Sequence, residues 1–333
     1  MATSSRPSSP WYIVVADDHG HEWAPPMRTG EGPAPVQYAR FGGSTTLLQR
    51  ALGRAARAAP ASQVMVTVLE EYREFWEPSV WFVRPEHRFV CEGRAESTLT
   101  AAAAILKIAA DSPSNVVVIA PARVHVLRES VLAAALENAL SALPSVPEGA
   151  LTLAMIDAED GIDEDYLVLD RSRFRAGFRV LGVARRPNTW VAHHLRQQGA
   201  LIASGIMIGY AGVFAAHISR QWPGLTRQLN LAAHAATAAS AECELSMHLS
   251  RAIPKPALSS LRWHAPTLRQ RAFGVEGCGW SGLRSARAVA RTHDYLSALT
   301  RIRNAADFDS NHLDQSYRLQ ETSDQANALE KGG

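Results

Sequence analysis

The sequence predicts an α/β fold with an open, mixed but mainly parallel β-sheet and helices on both faces. Short apolar runs alternate along the chain with longer stretches of helical spacing, and this is the order of strand–helix–strand units. The run at residues 115–120, NVVVIA, is continuously apolar, as expected for a strand buried on both faces of a parallel sheet. The 333 residues are 47% apolar, which is enough for a large core.

The first half of the chain predicts three strands separated by helices. The strands are short runs rich in Val and Ile, and the helices place Leu and Ala at helical spacing. The elements predicted here are a strand at 11–16, a loop rich in Gly, Pro and charge at 17–43, a helix at 46–59, a strand at 63–69, a helix at 98–110 and a strand at 115–120.

The second half continues the alternation, with longer Ala-rich helices and weaker strands. The elements predicted here are a helix at 128–143, strands at 150–156, 166–169 and 179–184, a helix at 188–198, a strand at 200–208, mostly helix at 211–250, strands at 260–264 and 270–275, and a helix at 281–299. We predict a disordered tail at 1–10, a single domain over 11–300 and a polar tail at 301–333.

Composition limits the kinds of partner and the cellular compartment that we expect for this protein. The formal net charge is +2 without a basic run, so we expect no nucleic-acid partner. No apolar run approaches the ~18 residues that a membrane span needs, and we expect no membrane partner. The three cysteines, Cys91, Cys243 and Cys278, lack metal-ligand spacing. They predict reduced thiols in a cytoplasmic protein, since no signal peptide is evident.

Seven short motifs follow one another along residues 11–290. They are VVADDHGHEWAP at 14–25, PVQY at 35–38 with TLLQ at 46–49, EGRAESTLTA at 92–101, PARVH at 121–125, VARRP at 183–187, ASGIM at 203–207 and GWSG at 279–282. In this order they resemble the sugar-phosphate nucleotidyltransferases, above all the mannose-1-phosphate guanylyltransferases. The resemblance implies a nucleotidyltransferase (Rossmann-like) fold.

The resemblance also implies a reaction and a set of binding residues. Members of the family make a sugar nucleotide, of the GDP-mannose type, from a nucleoside triphosphate and a sugar 1-phosphate, with Mg²⁺ as cofactor. The residues it places at the nucleotide are Ala16, Asp17, Asp18, Gly20, Ser97, Thr98 and Arg123. The residues it places at the sugar phosphate are Arg185, Arg186, Ser204 and Gly205.

The motifs depart from the family at its charged positions. Asp17 and Asp18 stand where the family has loop glycines, Glu22 at its arginine and Val36 at its lysine. Its two magnesium-binding aspartates correspond to Arg123 and Gly282. Transfer between two polyanions depends on neutralising charge, and magnesium needs carboxylate ligands. The sequence therefore predicts that the family reaction is impaired.

Three functions are compatible with these motifs. The first is a catalytically impaired homologue that binds a nucleotide or sugar nucleotide, or pairs with an active paralogue or with itself. The second is an active nucleotidyltransferase in which Asp17 and Asp18 hold the metal ion. In this enzyme Arg185 and Arg186 would bind the phosphate groups. The third is a structural partner protein whose cleft is closed by an ion pair of Arg123 with Asp17 or Asp18.

Local alternatives stay open at each motif. The segment at 17–21, DDHGH, is either a new metal site or a solvated acidic loop. Arg123 either grips phosphate in place of a metal or pairs with an acid of that loop. Arg185 and Arg186 either bind phosphate or end a solvated strand. Ser204 and Gly205 either line a sugar pocket or form a turn.

Overall fold

A computed structural model describes the greater part of the chain. The described residues are 9–16, 27–29, 32–41, 43–91, 97–156, 163–174, 177–224, 226–227 and 268–301. The chain divides into two compact units, the first ending at Ala288 and the second beginning at Val289. Residues 289–301 of the second unit are helical. Everything below concerns the first unit.

The elements predicted within the described residues of this unit occur in the predicted order, and the unit also has five short strands and one short helix that were not predicted, two of the strands within the loop predicted at 17–43. The strands are β1 Trp11–Val15, β2 Met27–Thr29, β3 Gly32–Ala34, β4 Val64–Leu69, β5 Arg88–Cys91, β6 Val116–Pro121, β7 His125–Val126, β8 Ala150–Met155, β9 Tyr166–Phe174, β10 Gly177–Ala184, β11 Leu201–Tyr210, β12 Gln270–Val275 and β13 Trp280–Ser281. The helices are α1 Leu47–Ala58, α2 Arg73–Trp76, α3 Ser97–Asp111, α4 Glu129–Ala142, α5 Thr189–Gln197 and α6 Ala211–Gln221. The strand predicted at 260–264 and most of 222–250 lie outside the described residues.

Nine strands form one sheet, in the order β5-β4-β1-β6-β11-β8-β12-β10-β9. Neighbours among β1, β4, β5 and β6 run parallel, as do β8 and β12. Strand β11 is antiparallel to β6 and β8, and β10 is antiparallel to β9 and β12. The predicted mixed sheet is therefore confirmed, but about half of its pairings are antiparallel and it is not mainly parallel.

The sheet is also not open along its whole length. Strand β9 pairs with β10 and, through Tyr166 and Leu167, with β11 as well. The five strands β11, β8, β12, β10 and β9 thereby close into a ring. Only two residues separate β9 from β10 along the chain, so the two strands must run antiparallel, and their length lets β9 reach back to β11. This corrects the prediction of an open sheet.

Helices cover both faces of the parallel part of the sheet, as predicted. The two faces follow from the alternation along β1, where Tyr12 and Val14 point one way and Ile13 the other. Leucines of α1 and α4 pack with Tyr12 and Val14, and residues of α3 and α6 pack with Ile13. None of the described helices has the length and apolarity needed to cross a bilayer.

Helix α1 begins at a capping box. The Thr46 hydroxyl accepts a hydrogen bond from the Gln49 N–H at 3.1 Å, and the Thr46 N–H donates to Gln49 Oε1 at 2.8 Å. Leu47 and Leu48 are fully buried beneath it. The TLLQ motif therefore has a structural reason here, because the two polar residues satisfy free N–H groups of the first turn while the leucines enter the core.

Candidate functional site

Several strand ends meet at one edge of the sheet. Val15 of β1 pairs with Pro121 of β6, and Met155 of β8 pairs with Val275 of β12, so the carboxyl ends of these strands lie together. Antiparallel β11 brings its amino end to the same edge, where Ile202 pairs with Met155. Ligands of α/β sheets bind beyond this edge. The residues before β9 also reach it, because the Ala203 N–H donates to the Asp165 carbonyl at 2.9 Å.

The end of β1 is held by backbone and side-chain hydrogen bonds. The Ala16 N–H donates to the Thr67 carbonyl at 2.9 Å, and Gln37 Nε2 donates to the Ala16 carbonyl at 3.3 Å. Gln37 is fully buried in a 3-10 turn, Val36–Tyr38, which the first residue of the PVQY motif precedes. Val36 is also buried, so an apolar interior side chain stands at the family's lysine position.

Gly282 lies directly against the side chain of Glu164. A Cβ atom at position 282 would lie 2.8 Å from Glu164 Cδ and would overlap its carboxylate oxygens. Glu164 is only 4% exposed. The space that a side chain at 282 would need is therefore taken by a carboxylate from a distant part of the chain. This is the position at which the resemblance places a metal-binding aspartate.

Arg284 joins Glu164 to Asp165 in a cluster of charges. Its Nε lies 3.4 Å from Glu164 Oε2, and its Nη1 lies 3.1 Å from Asp165 Oδ2. The Arg186 backbone N–H donates to Asp165 Oδ1 at 3.3 Å. We call Glu164, Asp165, Arg284 and Arg123 the edge cluster, because the charge of Arg123 also acts on Glu164.

Burial dominates the ionisation of Glu164. It raises the pKa of this carboxyl to about 7, although the positive charges of Arg284 and Arg123 lower it and the acids at 165 and 163 raise it further. Desolvation disfavours the ionised form more than the two arginines favour it. Glu164 thus exchanges its proton near neutral pH, and the net charge of the edge cluster changes with it.

The described residues do not fit a magnesium site. No group of three or more His, Cys, Asp and Glu side chains that could hold a metal ion occurs among them. Glu164 and Asp165 already face Arg284, and Arg123 adds a further positive charge. Magnesium needs several oxygen ligands in near-octahedral geometry, which an arginine cannot supply. Asp17 and Asp18 lie outside the described residues.

The sugar-phosphate candidates lie at the same edge in different environments. Arg185 and Arg186 are exposed. Ser204 is buried, donates to the Leu153 carbonyl at 2.6 Å and accepts from the Ile206 N–H at 3.0 Å. Its hydroxyl is thus engaged with the backbone of the sheet.

Gly205 lies in an irregular part of β11, where the register with β8 shifts between Ala203 and Met207. Its φ of +80° belongs to the left-handed region, and a Cβ there would lie 3.0 Å from Pro121 Cγ. Glycine is therefore required at 205 by the backbone.

Other candidates are placed only in part. Helix α3 begins at Ser97, followed by Thr98, and Ala16 closes β1. Asp17, Asp18, Gly20 and Glu22 lie outside the described residues, so the structure does not test an Arg123 pair with Asp17 or Asp18.

Sequence reasoning missed Glu164, Asp165 and Arg284. The available signals were the acidic run at 163–165 directly before a predicted strand, and an arginine two residues after GWSG. Nothing in the local sequence joins the two segments, which meet only because the fold brings the start of β9 and the residues after β13 together. The motifs therefore predicted that position 282 has no carboxylate, and could not predict that the carboxylate of Glu164 lies against it.

Comparison with known proteins gives the fold. No protein-family model matches the chain, and no curated protein matches it at a significant level. Similar solved structures include a mannose-1-phosphate geranyltransferase from Thermus thermophilus, with a TM-score of 0.62 and 18% identity over 85% of this chain and 79% of that one. An inositol-1-phosphate CTP transferase from T. maritima has a TM-score of 0.50 and 13% identity over 87% and 96% of the two chains.

A mannose-6-phosphate isomerase from Helicobacter pylori is also similar, with a TM-score of 0.51 and 14% identity over 81% and 98% of the chains. At these identities the likeness establishes the fold. The chain has the fold of the sugar-phosphate nucleotidyltransferases, as the order of its motifs predicts.

Proposed function

We propose that this protein binds a nucleotide or a sugar nucleotide, of the GDP-mannose type, and does not carry out magnesium-dependent nucleotidyl transfer. The observation that carries the proposal is the contact of Glu164 with Gly282. The proposal is supported by the usual location of ligand sites beyond the carboxyl edge of such a sheet, and by the edge cluster, which includes Arg123 and lies against Gly282.

The charges of the edge cluster favour binding without metal. A diphosphate carries negative charge that arginine side chains bind well. Arg284 and Arg123 supply positive charge at this edge, and Glu164 and Asp165 compete with any bound phosphate for it. Protonation of Glu164 removes one competitor for the arginines. A diphosphate ligand therefore binds most tightly when that carboxyl is neutral.

Calorimetric titration tests the proposal. The ligands are GTP, GDP-mannose and mannose-1-phosphate, each with and without Mg²⁺. We expect GDP-mannose to bind with the same affinity in both conditions. Arg284→Gln should weaken this binding at least several-fold, because it removes a cation from the edge cluster. Arg269→Gln, a change in an exposed ion pair elsewhere, is the matched control and should leave it unchanged.

Formation of GDP-mannose from GTP and mannose-1-phosphate in the presence of Mg²⁺ would overturn the proposal. If that turnover disappeared in Asp17→Asn, the metal site would be the rebuilt one at Asp17 and Asp18. Failure of all three ligands to bind would also contradict the proposal and would leave a structural partner protein as the function to test.

A further inference from the structure

A cavity lies between α1 and α4, on the face of the sheet and apart from its carboxyl edge. Its volume is about 130 Å³. Leu153 of β8 and Ile206 of β11 line it from the sheet, and Leu132 and Leu136 line it from α4. A cavity of about 150 Å³ lined by Leu, Ile and Phe binds benzene. This one is therefore of the size that accommodates a single six-membered ring.

One part of the lining is polar. Arg54 Nη1 lies 2.9 Å from Glu129 Oε1, and Arg57 Nη2 lies 3.3 Å from Glu129 Oε2, so these ion pairs connect α1 to α4. Arg54 is 6% exposed, and its Nη2 has no hydrogen-bond partner among the described residues. A buried donor without an acceptor costs free energy, which an acceptor on a ligand would recover.

Tyr12 of β1 adds a second polar group to the same lining. Its side chain is buried and lines the cavity, and the charges of Arg54, Glu129 and Arg57 act on its hydroxyl. Burial raises the pKa of this hydroxyl, so it remains protonated and able to donate at neutral pH. The cavity thus combines an aliphatic surface with hydrogen-bonding groups.

The lining also limits the charge of a ligand. Two arginines and two glutamates contribute to it, namely Arg54, Arg57, Glu129 and Glu137, so their formal charges cancel. A charged ligand would lose its hydration without gaining a net counter-charge. The lining therefore favours an uncharged ligand that carries one hydroxyl group.

We propose that this cavity binds a small uncharged amphiphile of the phenol class. Its ring lies among the leucines, and its hydroxyl bonds to Tyr12 and Arg54. The site is separate from the edge cluster, and its existence does not depend on the function proposed above.

Titration of the full chain with phenol and with benzene, followed by calorimetry and by thermal unfolding, tests the site. We expect phenol to bind saturably and to raise Tm, and benzene to bind several-fold more weakly because it forms no hydrogen bond with Tyr12. Tyr12→Phe should narrow the difference between the two affinities, and the remaining preference for phenol reflects the bond to Arg54. Binding of benzene and phenol with equal affinity to the unaltered protein would contradict recognition by Tyr12.

Two alanines of α4 provide a matched pair of variants. Ala133 lines the cavity, whereas Ala134 is exposed. Ala133→Leu should fill part of the cavity and reduce phenol binding at least tenfold, and Ala134→Leu should leave it unchanged. The proposal fails if phenol does not bind the unaltered protein, or if Ala133→Leu binds phenol as well as Ala134→Leu does. Because the ligand comparison uses unaltered protein, the test stands even if Ala133→Leu does not fold.

Discussion

At the scale of single residues, the side chain of Glu164 occupies the space that a side chain at position 282 would need. Gly282→Ala forces a methyl group against the Glu164 carboxylate, and we expect it to destabilise the protein by about 1–3 kcal/mol. In Glu164→Ala/Gly282→Ala the clash is absent, so the double variant should lose less than the sum of the single changes. Unfolding in denaturant of all four proteins measures this coupling.

A matched glycine gives the control for that cycle. Gly182 lies in β10 without a left-handed φ, and no atom lies within 4 Å of the position that an added methyl group would take. Gly182→Ala should change the free energy of unfolding by less than about 0.5 kcal/mol. Strict additivity of the changes at 164 and 282 would show that the two side-chain positions do not compete.

At the scale of elements, the capping box of α1 can be removed by one substitution. Thr46→Ala deletes the hydroxyl that accepts the Gln49 N–H, and we expect a loss of about 1 kcal/mol in the free energy of unfolding. Ser44→Ala changes an exposed neighbour outside the capping box and should cost much less. Equal effects of the two substitutions on the free energy of unfolding would show that Thr46 does not stabilise the helix as its cap.

Local patterns predicted most elements, since apolar spacing is a property of adjacent residues. The strand predicted at 270–275 is β12, Gln270–Val275, and the helix predicted at 128–143 is α4, Glu129–Ala142. The closure of the sheet by β9 and β11 could not be read in this way, because it depends on pairing between segments that are separated along the chain. The same limit applies to the meeting of Glu164 with Gly282.

At the scale of the whole molecule, two buried groups act on stability in opposite senses. The pKa of Glu164 is raised to about 7 by burial, so the native state keeps a proton that the unfolded chain releases above its ordinary pKa of 4.5. Stability therefore falls as the pH rises from about 4.5 to about 7. Burial, with Arg50 and Arg54, lowers the pKa of His125 from 6.5 to about 4, so this histidine costs stability as the pH falls through that interval.

Glu164→Gln isolates the contribution of Glu164 to the pH dependence of stability from that of His125. The amide keeps the shape and cannot ionise, so we expect the variant to be more stable than the unaltered protein above pH 7, by about 1–3 kcal/mol. The difference should vanish well below pH 4.5, where the carboxyl is neutral in both the folded and the unfolded state. Thermal unfolding across this range measures it. Glu148→Gln, in an exposed pair with Arg269, is the control and should show no such trend.

The same proton affects the proposed ligand. GDP-mannose keeps a constant charge near neutral pH because each of its phosphates carries one ester and one anhydride bond, which leaves a single strongly acidic group. Its affinity should therefore rise up to about tenfold as the pH falls through the pKa of Glu164, since the neutral acid no longer competes for Arg284. Calorimetry at pH 6 and pH 8 measures the change, and Glu164→Gln should abolish it. An affinity that depends on pH equally in both proteins would assign the effect to another group.

The contact between Gly282 and Glu164 also determines the order in which substitutions at these two positions can be tolerated. An aspartate becomes acceptable at 282 only after Glu164 has been shortened, because the two carboxylates would otherwise share one space. Even then, Arg123 keeps a positive charge at the position of the other metal-binding aspartate. Metal-dependent transfer at this edge would thus need several substitutions, the first of which bring no gain in activity. Single substitutions in this sequence change more readily which anion its arginines bind than they create a metal site.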